Sequence, residues 1–191
     1  MKILSKIISI LLLFTLVNNE SKAQSNNREI GLRFTALNSA KIVYKIGITE
    51  NKYRRFTFGA FNGALYPLSS NIMNSSFVGS MSFGIEKRIS IAEKLKFIHG
   101  FEPNVILGYN INNGKFSPQG GLSLGYIIGF QYDFSDSFYM NLEVVPSIGA
   151  IAYKSYYNNN YSFNANVSSS PFAVSAVYKF KKKDKEAKEK I

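Results

Sequence analysis

Residues 122 to 132 read Leu122-Ser123-Leu124-Gly125-Tyr126-Ile127-Ile128-Gly129-Phe130-Gln131-Tyr132. In an extended chain successive side chains point to opposite faces, so Leu122, Leu124, Tyr126, Ile128 and Phe130 share one face, while Ser123, Gly125, Gly129 and Gln131 fall on the other. The second face decides the reading. A soluble sandwich or barrel turns its bulky apolar residues inward and shows water long charged side chains, whereas this polar face is mostly small.

The same alternation extends in both directions from that stretch. It predicts eight strands, near 28-37, 40-50, 53-62, 77-88, 94-109, 119-133, 138-153 and 171-180. One face gathers Ile30, Leu32, Phe34, Ile42, Tyr44, Phe56, Phe58, Met81, Phe83, Leu107, Leu142, Val174 and Tyr178. The other holds Gly31, Gly47, Gly59, Ser82, Gly84, Gly100, Gly108, Ser147, Gly149 and Ser175, interspersed with Arg33, Lys45, Glu86, Arg88, Glu102, Gln131, Glu143 and Lys179. Small residues with a few charges suit the crowded interior of a narrow barrel whose Phe, Ile, Leu and Val face lipid. The predicted fold is therefore all-β, an eight-stranded antiparallel up-and-down transmembrane β-barrel, in which closure pairs every backbone group. The alternative on the same pattern is a secreted soluble barrel of lipocalin type.

The ends of the chain carry their own signals. Residues 1-23 combine Lys2 and Lys6, an apolar run from Ile7 to Val17 and the small-x-small ending Ser21-Lys22-Ala23, which reads as a secretory signal peptide. The barrel is assigned to 24-180 and a basic periplasmic tail to 181-191. The 191-residue chain has a formal net charge of +11. Without the signal peptide, which holds three Lys and one Glu, that becomes +9, and seven Lys against three acids between Lys179 and Lys190 supply +4 of it. A terminal run of charge on an exported chain does not argue for nucleic acid, and none is expected as a partner.

Chemistry is sparse. There is no Cys and one His, His99, which removes disulfides, thiolate metal sites and cysteine nucleophiles. Phe101 stands two residues after His99, so a His-x-Ser pattern is missing, and Asp133, Asp136 and Asp184 all fall at the presumed periplasmic side. No catalytic triad can be built near the outer surface, and neither an enzyme nor a cofactor is expected.

The predicted connections alternate in length. Short turns lie around Asn51, Ser90-Ile91-Ala92-Glu93 and Ser135-Asp136-Ser137, and longer external loops are predicted at 63-76, 110-118 and 154-170. The closing strand ends in Tyr178-Lys179-Phe180. With these features, the chain resembles the small outer-membrane β-barrel domain family of Gram-negative bacteria, similar in size to the eight-stranded OmpA and OmpX type barrels. The resemblance covers residues 28 to 180 and implies residence in the bacterial outer membrane. The eleven residues after Phe180 depart from the family pattern. Family members range from structural barrels and adhesins to secretion accessories, so the resemblance implies location more than activity.

Two sets of residues are candidate sites. Arg33, Lys45, Glu86, Arg88, Glu102 and Glu143 form an expected lumen charge network, with Glu86 and Glu143 pairing with Arg33 and Lys45 at a shared depth. Pro103 and Pro146, inside predicted strands, are expected to cause bulges or bends, which leaves the inward assignment of Glu102 open to a one-residue shift. Tyr156, Tyr157, Asn158, Asn159, Asn160 and Tyr161, in a nearly uncharged loop, form a candidate recognition surface, since Tyr and Asn suit adaptable contacts. The expected role is a non-enzymatic structural or surface-interaction barrel plugged by its own charges, with outer-membrane lipid and an extracellular or periplasmic protein as partners. The alternatives are a small transport channel or a secretion-system accessory.

Overall fold

The computed structural model describes residues 27–36, 39–59, 62–68, 72–112, 114–155 and 160–180. The signal peptide, the basic tail and Tyr156, Tyr157, Asn158 and Asn159 lie outside the described residues. The described residues form nine strands: β1 (Arg28–Ala36), β2 (Ser39–Thr49), β3 (Lys52–Gly59), β4 (Asn62–Leu68), β5 (Ile72–Ser90), β6 (Leu95–Asn112), β7 (Lys115–Asp133), β8 (Phe138–Lys154) and β9 (Tyr161–Phe180). Antiparallel pairing runs β3-β2-β1-β9-β8-β7-β6-β5, and β3 pairs with β5 to close the ring. β4 continues β3 along the same neighbour: Phe58 stands opposite Met81 and Asn62 opposite Val78, so β3 and β4 together are one wall position of an eight-stranded barrel.

The side chains sort as an inverted barrel. Ile30, Leu32, Ile42, Met81, Phe83, Leu122, Phe130 and Leu142 are exposed on the outside, while Glu29, Arg33, Lys45, Arg55, Glu86 and Glu143 are buried inside. This is the reverse of a lipocalin-like interior and the arrangement a hydrocarbon surround favours. The small inner residues answer to wall curvature. A Cβ on Gly129 would run into the backbone of Leu142 and Glu143 on the next strand.

Several strands are longer than the sequence pattern indicated. The segments 63-76, 110-118 and 154-170, expected as loops, are mostly strand, because β4 pairs with the start of β5, Asn112 with Lys115, and Lys154 with Tyr161. Asn112 pairs with Lys115 at the end of the β6–β7 ladder, and Gly114 between them takes φ 72°, a conformation that glycine adopts without a steric penalty. Tyr161 therefore begins a strand, with Asn160 immediately before it, rather than sitting within a long loop.

The two prolines behave differently. No bulge forms at Pro103: Ser82 opposite Asn104 and Ile85 opposite Phe101 share one register, and Glu102 stays inside. Proline simply withholds a donor there, and the ladder is interrupted locally. Beside Pro146 a bulge does form, between Glu143 and Val145. Glu143 faces Ala173 and Val145 faces Ser170, so Pro171 and Phe172 oppose the single residue Val144. The extra residue reverses which β9 positions point outward. Below it, Ala173, Ser175 and Val177 are buried; above it, Tyr161, Phe163 and Val167 are 76%, 72% and 82% exposed, on the same face as Ile148 of β8.

The barrel is consequently uneven. β1, β2 and β3 span 9, 11 and 8 residues, about what a membrane crossing needs, whereas β5 to β9 span 17 to 20. Beyond Phe34, β9 has no pairing with β1, and β4 is bonded to β5 alone. A curved sheet from β4 to β9 thus rises above the low wall at the end opposite the tight turns at 50-51, 91-94 and 134-137. We call these the open end and the turn end.

Candidate functional site: the lumen and its open end

All six charges named from the sequence are buried within the barrel, and Glu29 and Arg55 join them. The buried charges of the described lumen are therefore four cations, Arg33, Lys45, Arg55 and Arg88, and four carboxylates, Glu29, Glu86, Glu102 and Glu143, with Lys41 half-buried toward the open end. Buried charge at this density is tolerated only when each group is paired and hydrogen-bonded.

The network starts at the turn end. Asp133 lies 2.9 Å from both Lys96 and Lys179 and accepts from Gln131 at 2.7 Å. Above it Arg88 donates to both oxygens of Glu29, at 3.0 and 2.7 Å, and packs its guanidinium 3.7 Å from the ring centre of Tyr53. The Tyr139 hydroxyl donates to Glu29 at 2.6 Å and accepts from Arg88 at 3.0 Å. Arg88 Nε reaches Glu86 at 2.8 Å, and the other Glu86 oxygen lies 2.7 Å from Lys45 Nζ.

Arg55 occupies the centre. Its two terminal nitrogens donate to the two oxygens of Glu143 at 2.9 and 2.8 Å, and the first of them also reaches Glu86 at 3.3 Å. Asn141 donates to Glu143 at 3.1 Å. Toward the open end Arg33 bonds both oxygens of Glu102 at 3.2 Å and lies 3.4 Å from Glu143, and Ser82 donates to Glu102 at 2.5 Å. Glu86 thus meets Lys45, and Glu143 meets Arg33, but each shares Arg55 as well.

Arg55, Glu29 and Tyr139 were absent from the sequence-derived set although the alternation carries them. Arg55 precedes outward Phe56, Glu29 precedes outward Ile30, and Tyr139 precedes Met140, which shares the outward phase of Leu142, so each has inward phase. What hid Tyr139 is its size, in a face recognised by small residues. Val43, Ile98, Ile127 and Val177 are likewise fully buried inside, filling space between the charged layers.

His99 sits on the outer face, with Nδ1 3.2 Å from the Tyr126 hydroxyl and its ring stacked on Phe97. Its hydrogen-bond partner is therefore a phenol rather than a carboxylate. At the open end the β8–β9 connection is tied by Ser155 N–H donating to the carbonyl of Asn160 at 2.8 Å, which leaves Asn160 and Tyr161 exposed beside it.

No protein-family model matches the chain, and no curated protein matches it by sequence. Among solved structures the chain is similar to the N-terminal β-barrel domain of Pseudomonas aeruginosa OprF, with a TM-score of 0.54 and 11% identity over 82% of this chain and 99% of that one. It also matches Neisserial surface protein A, NspA, with a TM-score of 0.46 and 12% identity over 81% of this chain and 94% of that one. Ail, the attachment invasion locus protein of Yersinia pestis, matches with a TM-score of 0.43 and 12% identity over 81% and 94%. The likeness to the OprF domain is one of fold: this chain has the architecture of the small eight-stranded outer-membrane barrels.

Proposed function

We propose that the chain is an exported bacterial outer-membrane protein, turn end in the periplasm and open end outside, that acts as a structural or surface-interaction barrel and passes no solute. The observation that carries this reading is the paired set of four cations and four carboxylates braced across the lumen. An eight-stranded barrel has room for little beyond its own side chains, and here the space at the height of β1 to β3 is taken by groups that bond one another. The placement of His99 on the outer face, bonded to Tyr126, supports a non-enzymatic role. The exposed apolar exterior supports a hydrocarbon surround. The raised sheet, with Asn160 and Tyr161 at its tip, is the surface offered to an extracellular partner.

The test is single-channel recording of the folded barrel in planar bilayers at neutral pH, beside heat-modifiable migration on a gel. A folded, detergent-stable barrel without steady conductance is the expected result. Steady conductance would transfer the assignment to a channel, and recovery as a soluble, detergent-free monomer would reject the membrane reading.

A further inference from the structure

The outer wall carries a feature that the lumen reading does not use. A groove of about 420 Å³ opens on the exterior where β3, β5, β6 and β7 lie side by side. Its floor is the stretch where Pro103, lacking an N–H, interrupts the β5–β6 ladder between the Ser82–Asn104 and Ile85–Phe101 pairs. Phe83, Ile85 and Phe101 stand along it, all exposed on the lipid-facing side.

The end of the groove nearer the turns is basic. Lys52 pairs in register with Lys87, and Lys87 with His99, so three basic side chains lie abreast on three consecutive wall strands at one level. Arg54, two residues beyond Lys52, has the same outward phase. Among the described residues neither Lys52, Lys87 nor Arg54 takes part in an ion pair. Glu86, next to Lys87 in sequence, points into the lumen and is bonded to Lys45 and Arg88 there, and Glu50 is exposed in the β2–β3 turn below. Lys87 is three residues from the end of β5, roughly 10 Å along the strand, which in a tilted barrel is the depth of a headgroup layer rather than of the hydrocarbon centre.

Cations at headgroup depth are attracted to anionic lipid, and three abreast with no protein carboxylate paired to them concentrate that attraction at one point of the wall. We propose that this groove binds one anionic glycerophospholipid of the periplasmic leaflet, its phosphate held by Lys52 and Lys87 and one acyl chain laid along Phe83, Phe101 and Pro103. His99 completes the headgroup site. In the tautomer whose Nδ1 accepts from the Tyr126 hydroxyl, the ring proton is on Nε2, free to donate to a phosphate oxygen. The site rests on the membrane reading and on its orientation, since the turn end places it in the inner leaflet.

The barrel is first folded in a zwitterionic detergent and checked for heat-modifiable migration, so that failure of the membrane reading shows before any lipid is added. Retention of phosphatidylglycerol and of phosphatidylcholine is then measured by native mass spectrometry, for the parent, for Lys52→Gln/Lys87→Gln, and for Lys115→Gln at the open end. Preferential retention of one phosphatidylglycerol, lowered tenfold or more in the double variant and unchanged in Lys115→Gln, is the expected result. Equal retention of both lipids, or equal phosphatidylglycerol retention by the parent and the double variant, would overturn the site. Stronger retention of lipid A than of phosphatidylglycerol at the same residues would overturn the inner-leaflet assignment. His99→Phe provides a second variant on the same wall, expected to weaken retention less than the lysine pair.

Discussion

Arg55 and Glu143 face each other across the full width of the barrel. They stand on β3 and β8, four strands apart whichever way the ring is followed, and two parallel hydrogen bonds of 2.9 and 2.8 Å join them. Arg33 on β1 and Glu102 on β6 make a second diameter, at 3.2 Å. A wall held together only by neighbour-to-neighbour ladders can flatten; one braced along two diameters resists it.

The first consequence is energetic. Glu143→Gln leaves Arg55 and Arg33 without a full counter-charge in a buried site, and stability should fall by roughly 3 kcal/mol. Arg55→Met/Glu143→Met removes a cation and a carboxylate together and should cost less than the two single changes summed. Urea unfolding of the barrel in lipid vesicles measures both. Equal midpoints for Glu143→Gln and the parent would reject the brace, and so would strictly additive effects in the double variant.

A smaller loss is expected from Tyr139→Phe. It deletes the hydroxyl that donates to Glu29 at 2.6 Å and accepts from Arg88, in a site with no water-exposed alternative. The cost should be about 1–2 kcal/mol, against no change for the exposed Tyr161→Phe, in the same unfolding assay.

The β9 bulge makes a prediction about assembly. Deleting Phe172 removes the extra residue and turns Tyr161, Phe163 and Val167 toward the lumen, or else slips the lower strand out of register with β1. Heat-modifiable barrel should then be lost from outer membranes, whereas deleting Asn158 from the β8–β9 connection should leave assembly intact. Normal assembly of the Phe172 deletion would show that the strand tolerates either phase.

Orientation can be read on whole cells. Chymotrypsin added outside should cleave at the connection holding Tyr156 and Tyr157 and spare the turn at 134-137. Cleavage at both places only after permeabilisation would mean that the open end is not external.

The eight wall positions were legible because lipid and a tight lumen impose opposite demands on successive residues, as the run from Leu122 to Phe130 displays. The upper half of β9 was missed for a physical reason. Tyr161-Ser162-Phe163-Asn164-Ala165-Asn166-Val167-Ser168 alternates cleanly, but in the phase opposite to Phe172-Ala173-Val174-Ser175, and its Asn and Ser suggest a loop. Only the bulge reconciles the two phases. Asn113-Gly114, a favoured hairpin dipeptide, is the signal within 110-118 that marks a short connection there. In the lumen, charge was legible and connectivity was not, because Arg55's reach to three carboxylates depends on which strands closure sets opposite one another.

The low wall has one further consequence. The seam that closes the ring runs only from Arg28 opposite Phe180 to Phe34 opposite Val174, far shorter than the β8–β9 ladder from Phe138 opposite Tyr178 to Lys154 opposite Tyr161. Yet β1 also sends Glu29 to Arg88 on β5 and Arg33 to Glu102 on β6. A strand with short ladders on both sides is moored by side chains to the far shore of the barrel. The first strand is thus held by ionic tethers to β5 and β6 as well as by its zipper with the last, and the barrel's point of closure need not be its point of rupture.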